Sequence, residues 1–374
     1  MKKSDHQLDE ASTLQTSIHS IIFISSMADH SFSIQKVTVT HIIRETADAK
    51  TFILEMQDGQ SPAYKAGQFL TFIFNTEYGE KRRSYSISSS PDLNEPLSIT
   101  VKKVDNGEFS RKLISETKPG DILVTSGISG LFLLPEKSIS PGLLFFFAAG
   151  SGITPIFAMM KTLLFTRTDK AILIYSNKSA SDTIFLHQLK ELESRFPGRL
   201  LVRYLFSNIP DVYQSRLSNW LLNQWLDEYA TDDLAKAKFY LCGPFEYMRM
   251  IEVTLRIRIP AATIHKEQFN SLPRLVIPIP PDTSAHQVSI HINGMVHELE
   301  VQYPQTILAA AKTKNINLPY SCEAGRCGSC VATCRSGKIW MAYNEVLLDE
   351  EVAKGRVLLC QGFPVGGNAD IIVE

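Results

Sequence analysis

"SCEAGRCGSC" (321–330) sets three cysteines into ten residues, with small residues between them. Cys322, Cys327 and Cys330 follow a C-x4-C-x2-C spacing, and Cys360 comes later in "RVLLCQ" (356–361). A disulfide framework, a zinc clip and an iron–sulfur cradle are the candidate readings for so dense a group of thiols. Of the six cysteines, five fall in the last 53 residues. No export signal precedes them, because Asp5, Asp9 and Glu10 break the basic segment that should stand before "SIIFISSM" (20–27). A reducing, cytoplasmic setting is therefore expected, where clustered thiols bind metal or carry redox chemistry rather than pair.

Zinc sites usually pair two short cysteine knuckles, and here the second knuckle is missing because Cys360 stands alone. The four thiols match instead the plant-type spacing of a [2Fe–2S] cluster. Such a loop must turn backbone N–H groups towards sulfur, which calls for residues without bulk and with freedom at positive φ. Ala324, Gly325, Gly328 and Ser329 meet that need. Cys322, Cys327, Cys330 and Cys360 are thus assigned as the iron ligands. Cys334, in "VATC", reads as a buried thiol on the strand leaving the loop.

The rest of the chain must explain what feeds such a cluster. It has 374 residues, a net charge of −1 and 44% hydrophobic residues. At about 100–200 residues per domain, that length suggests two to three domains. No clustered Lys and Arg run is present, which argues against nucleic acid. The longest apolar run, "GLLFFFAAG" (142–150), falls well short of the ~20 residues of a membrane span. Residues 33–138 carry short alternating strands such as "SIQKVTVTHIIRE" and "QFLTFIF", the pattern of an antiparallel β-barrel. Residues 139–270 alternate apolar strands with helical segments, the pattern of an α/β domain with a parallel sheet. Four prolines in "SLPRLVIPIPPDTS" (271–284) mark a linker over 271–286. Residues 287–374 open on a hairpin with Asn293-Gly294 as its turn and hold the cysteine loop. Residues 1–32 are expected to be a disordered extension. No internal repeat is present, and the nine histidines show no metal-ligand spacing.

Three motifs precede the cluster. "RRSYSISSSP" (82–91) contains R-x-Y-S-x-x-S as Arg83, Tyr85, Ser86 and Ser89. "VKKVDNGEFSRKL" (101–113) places Gly107 and Ser110 before the one helix of the barrel, with Ser110 expected to cap it. "AAGSGITPI" (148–156) offers Gly150 and Gly152, with Thr154 expected as helix cap and Pro155 in its first turn. It departs from the G-x-G-x-x-G dinucleotide fingerprint by lacking the third glycine. "LCGP" (241–244) and "IHKEQF" (264–269) complete the set.

On these motifs the chain resembles the ferredoxin–NADP reductase superfamily. From 33 to 374 it is similar to the subgroup of phenylacetyl-CoA epoxidase, hybrid-cluster-protein and aromatic-oxygenase reductases. That resemblance implies an FAD barrel, an NAD(P)-binding α/β domain and an α+β ferredoxin domain of β-grasp type. It implies that Arg83 and the Gly107–Ser110 segment bind the flavin diphosphate, with Val101 and Lys102 nearby. Tyr85 is expected to pack on the flavin, Ser86 to lie near its N5, and Phe269 near the ring. Gly243 and Pro244 are expected beside the nicotinamide. Cys242 would face it too, or else be an ordinary buried strand-end thiol. Ser86 and Cys242 are the catalytic candidates.

NAD(P)H gives up two electrons together, and iron–sulfur centres accept one; a flavin handles both. The implied activity is therefore NAD(P)H-dependent reduction of a partner protein through FAD and [2Fe–2S]. NADPH and NADH both remain open: Ser176, Lys178 and Ser207 could meet a ribose phosphate, but Asn208 stands where NADP users often carry arginine. The partner implied is a di-iron or aromatic-ring oxygenase component, with hybrid-cluster protein as the alternative. Nine acidic and seven basic residues in 287–374 are too balanced to predict steering towards any partner. The rival of a different class is a non-enzymatic metal-binding or redox-sensing module.

Overall fold

Alternation of buried and exposed residues builds the first sheet. A computed structural model describes residues 34–77, 79–105, 107–137, 141–229, 234–269 and 278–373. The expected N-terminal extension and residues 271–277 of the expected linker lie outside that range. The first six strands are β1 (Gln35–Arg44), β2 (Ala49–Met56), β3 (Phe69–Thr76), β4 (Gly79–Ser86), β5 (Ser98–Lys102) and β6 (Ile122–Ser129). They form one antiparallel sheet in the order β4-β3-β6-β1-β2-β5. An Ile87–Ile99 bridge joins its two edges and closes it into a barrel. Val37, Val39, Phe52, Phe72 and Ile99 point inward and are essentially unexposed, as period-two patterning requires.

Helix α1 (Glu108–Glu116) lies between β5 and β6. Its N-cap is Gly107, with no side-chain cap, so Ser110 is not the cap that its sequence position suggested. The Ser110 hydroxyl instead donates to the Gly107 carbonyl at 3.1 Å and accepts from the Val104 N–H at 3.1 Å. It has turned back inside the first turn to hold the preceding bend.

The second sheet is parallel. Strands β7 (Leu143–Ala149), β8 (Lys170–Asn177), β9 (Leu200–Phe206), β10 (Lys238–Cys242) and β11 (Thr263–Glu267) adopt the order β11-β10-β7-β8-β9. Helices α2 (Ile153–Thr166) and α3 (Leu186–Arg195) cover one face; after the short α4 (Val212–Ser215), α5 (Asn219–Tyr229) and α6 (Phe245–Arg258) cover the other. Burial on both faces explains the unbroken apolar run of β7. Phe146 enters the α2/α3 core and Phe145 and Phe147 the α5/α6 core. Each is 0% exposed and contributes about 1.5–3 kcal/mol by burial. Thr154 does not cap α2 either. Gly152 is the N-cap, and the Thr154 hydroxyl donates to the Ser151 carbonyl at 2.8 Å.

The third unit is a mixed sheet in the order β13-β12-β18-β14-β16. Its strands are β12 (His286–Ile292), β13 (Met295–Val301), β14 (Val331–Ser336), β16 (Arg356–Leu358) and β18 (Ala369–Ile372), with β15 (Ile339–Met341) and β17 (Gly362–Pro364) paired alongside. Asn293 and Gly294 have φ of 51° and 72°, as a type I′ hairpin turn demands. Helix α7 (Ile307–Thr313) packs Ile307, Leu308, Ala310 and Ala311 into the core, and a short α8 (Asp349–Ala353) precedes β16. Among the described residues no helix is long and apolar enough to cross a membrane.

The three units meet. Ser90 and Thr162 share a hydroxyl hydrogen bond of 2.7 Å between the barrel and α2, beside an ion pair of Glu95 with Lys161. Tyr240 of β10 donates to the Leu133 carbonyl at 3.0 Å. The cysteine loop contacts β4 through Ser84 and Ser321, whose hydroxyls lie 2.6 Å apart.

Candidate functional site

A cavity of about 1050 Å³ opens where the barrel meets the parallel sheet. Its barrel end is lined by Arg83, Tyr85 and Ser86 from β4, Val101 and Lys102 from β5, and Gly107 and Ser110 at the start of α1. Its far end is lined by Gly150 and Gly152 between β7 and α2, by Thr154 in the first turn of α2, by Ser176 at the end of β8, and by Lys178 and Ser207 just after β8 and β9. Gly243, Pro244 and Phe269 complete the wall. These residues gather at the C-terminal ends of the parallel strands, where open α/β sheets bind ligands.

Three expected residues stand outside the cavity. Ser89 is 1% exposed; its hydroxyl bonds to Tyr64 at 2.7 Å and accepts from the Ser98 N–H at 3.0 Å. Pro155 is buried in the first turn of α2. Cys242 is 0% exposed and packs in the α2/α3 core, so its thiol does not face the cavity, whereas Gly243 does. Strand parity sends the Cys242 side chain into the sheet core. Burial, then the Glu267 charge, pushes that thiol's pKa well up.

The barrel end suits an anionic, flat group. Arg83 donates to the Arg82 carbonyl at 2.7 Å and lies 5.0 Å over the Phe109 ring; among the described residues no carboxylate pairs with it. The uncapped start of α1 adds free N–H groups and the positive end of the helix dipole. Tyr85 is half-buried with its ring against Phe72, and desolvation raises its phenol pKa. At the nucleotide end a Cβ on Gly152 would collide with the Cys242 carbonyl, so only glycine lets this turn pack on β10. The buried amide of Asn177 and the Ser176 hydroxyl make no well-formed hydrogen bond among the described residues, the Tyr175 and Tyr247 phenols being polar neighbours. Orphaned buried polar groups cost about 1–3 kcal/mol each, which fits a site shaped for a polar ligand. Both ends therefore fit the flavin and nicotinamide dinucleotides expected from the sequence.

A buried carboxyl, Glu267, lies against Ser86. The Ser86 hydroxyl donates to Glu267 Oε2 at 3.2 Å. Glu267 is buried, and desolvation lifts its pKa to about 8, with the Ser86 bond pulling the other way. It therefore holds a proton at neutral pH. Asn177, Ser84 and Arg216 also line the cavity and were missed. Arg216 follows the one-turn α4, and no spacing rule marks such a position.

The cysteine loop fits a binuclear cluster. Gly325 and Gly328 take φ of 71° and 72°, turns that a Cβ would strain. The thiols fall into two pairs. Cys322 interacts with Cys327, and Cys330 with Cys360. Two thiolates for each of two irons is the donor set of a [2Fe–2S] centre. The Cys322 pKa is lowered to about 6, first by the hydrogen bond from Cys327 and then by the N–H groups of Ala324, Arg326 and Cys327. Those N–H groups favour thiolate, as the loop composition led one to expect.

Known protein families match the same three units. Residues 36–133 match an oxidoreductase FAD-binding domain, 146–253 an oxidoreductase NAD-binding domain, and 290–365 a 2Fe-2S iron-sulfur cluster binding domain. The ferredoxin reductase component of 3-ketosteroid-9-alpha-monooxygenase from Rhodococcus rhodochrous is 30% identical, over 90% of this chain and 95% of its own. A subunit of 1,2-phenylacetyl-CoA epoxidase from Escherichia coli is also 30% identical, over 90% and 96%. The solved structure of phthalate dioxygenase reductase shares the fold, with a TM-score of 0.57 at 22% identity, covering 91% of this chain and 98% of that one.

Two outcomes are expected. Arg83→Ala should lower the flavin retained through purification, read as the ratio of flavin to protein absorbance; unchanged flavin content would contradict the reading of the barrel end. The second concerns Glu267, whose folded pKa (about 8) exceeds its ordinary 4.5. Its contribution to stability is complete below about pH 4.5 and is lost as pH rises through 8, by up to about 1.4 kcal/mol per pH unit. Denaturant unfolding at about pH 5, 6.5 and 8 should show that slope in the wild type, and Glu267→Gln should flatten it.

Proposed function

This chain belongs to the ferredoxin–NADP reductase-like oxidoreductases that join an FAD-binding domain, an NAD-binding domain and a C-terminal [2Fe–2S] domain, and from that premise we propose that it supplies single electrons to an oxygenase component. It is an enzyme of NAD(P)H, FAD and a [2Fe–2S] cluster. The observation that carries the proposal is the shared strand β4, whose residues line the dinucleotide cavity and also touch the cysteine loop. Flavin, when bound, exchanges electron pairs with nicotinamide and single electrons with an iron–sulfur centre.

The protein's part is to bind, orient and shield. Arg83 and the start of α1 hold the flavin pyrophosphate, through a permanent cationic fork and free N–H groups. Val101 and Lys102 flank them, and Tyr85 and Phe269 cover the flat ring. Ser86 would stand at the reacting edge, its hydroxyl held by a hydrogen bond to the buried Glu267. Gly150, Gly152, Thr154, Gly243 and Pro244 let the nicotinamide nucleotide approach the sheet edge. Ser176, Lys178 and Ser207 meet its ribose. Ser89, Pro155 and Cys242 support these residues from behind, which revises the catalytic role expected of Cys242. Cys322, Cys327, Cys330 and Cys360 would together hold the cluster through their thiolates.

We divide the chain at 33–138, 139–270 and 287–374, joined by the proline-rich 271–286, and place it in the cytoplasm. The acceptor is a di-iron or aromatic-ring oxygenase component. The names of the relatives support this, since one is a monooxygenase reductase component and another belongs to an epoxidase.

Cys327→Ser tests the route. It should abolish cytochrome c reduction while ferricyanide reduction, which needs only the flavin, stays largely intact. Loss of both activities would make the cysteine loop a structural element and contradict the proposal.

A further inference from the structure

Strand β4 carries two sets of side chains. Arg83 and Tyr85 line the cavity, whereas Arg82 reaches the cysteine loop. The Arg82 side chain is only 10% exposed, and its Nε pairs with Glu80 at 2.7 Å. Its guanidinium lies 3.8 Å from the centroid of the Tyr320 ring and donates to the Tyr320 carbonyl at 3.4 Å. Tyr320 stands two residues before the ligand Cys322. Lys312 approaches the same ring at 4.4 Å, so the electron-rich ring engages two cations. Two hydroxyl pairs reinforce the contact: Ser84 with Ser321 at 2.6 Å and Ser129 with Ser329 at 3.1 Å. The Cys327 sulfur in turn lies 3.4 Å from the Ser329 hydroxyl. Each tie falls within two residues of a cluster cysteine.

We infer that Arg82, acting through Tyr320, is a positioning residue that holds the cluster loop at electron-transfer distance from the flavin-binding strand. Arg82 does not line the cavity, and its side chain touches no residue assigned to the flavin. Its role is the register between two centres, and it rests on the electron route proposed above. With both groups bound, one electron would leave the reduced flavin and one would be gained by the cluster in each transfer, so separation and orientation would govern the rate while no bond forms or breaks.

The test uses the full-length holoprotein and Arg82→Gln. Flavin content, acid-labile sulfide and flavin reduction by NAD(P)H should match the wild type. Cluster reduction in anaerobic stopped flow should slow by about tenfold or more, as expected when reacting centres lose their register. Amide hydrogen exchange over 319–329 should quicken in the same variant. Tyr320→Leu should reproduce both effects, and Tyr320→Phe, which keeps the ring, should stay near wild type. Wild-type cluster reduction and exchange in Arg82→Gln would overturn the inference while leaving the electron route standing. Loss of flavin from that variant would also overturn it, by placing Arg82 in flavin retention. If the wild type itself fails to pass electrons to the cluster, the route falls and the positioning role with it.

Discussion

The hydroxyl contact between Ser84 and Ser321, 2.6 Å long, ties the strand that lines the dinucleotide cavity to the loop that carries the thiols. Ser84 lies between Arg83 and Tyr85, and Ser321 lies beside Cys322. One strand therefore serves two centres, and the spacing between them is set by side chains of the barrel rather than by chain connectivity. The same strand reaches the parallel sheet through Ser86 and Glu267. Three sheets converge on these few residues.

That convergence explains the composition of the junction. Parallel strands buried on both faces end together, and their C-terminal turns must be narrow enough for a nucleotide to lie across them. Gly152 meets that constraint, since a Cβ there would strike the Cys242 carbonyl. Glu267 is a carboxyl buried behind this junction, against Ser86. A carboxyl pushed up to about 8 by burial destabilises the fold at high pH, and such perturbed groups concentrate where chemistry occurs.

Local signals made much of this legible. The thiol spacing, the Asn293-Gly294 turn, the alternation in β1 and β2 and the unbroken apolar β7 are each written within a few residues, so their elements follow directly. Helix starts were less legible, because Ser110 and Thr154 turn their hydroxyls back onto carbonyls instead of capping. Cys242 was ambiguous for another reason. A strand-end residue faces either way, and only the register of β10 against β7 directs it inward. The Arg82–Tyr320 contact spans 238 positions in sequence, and no period or motif encodes a contact of that range. Asn177 and Arg216 likewise acquire meaning only when the ends of β8 and α4 come together around one cavity.

The central claim is that electron pairs from NAD(P)H leave this protein singly through the four-thiol loop. Freeze-quench EPR of the anaerobic holoprotein after NAD(P)H addition, with no acceptor present, tests it most directly. The account predicts bleaching of flavin absorbance together with the rhombic spin signal of a reduced [2Fe–2S] cluster. A bleached flavin with the cluster still oxidised and EPR-silent would contradict it.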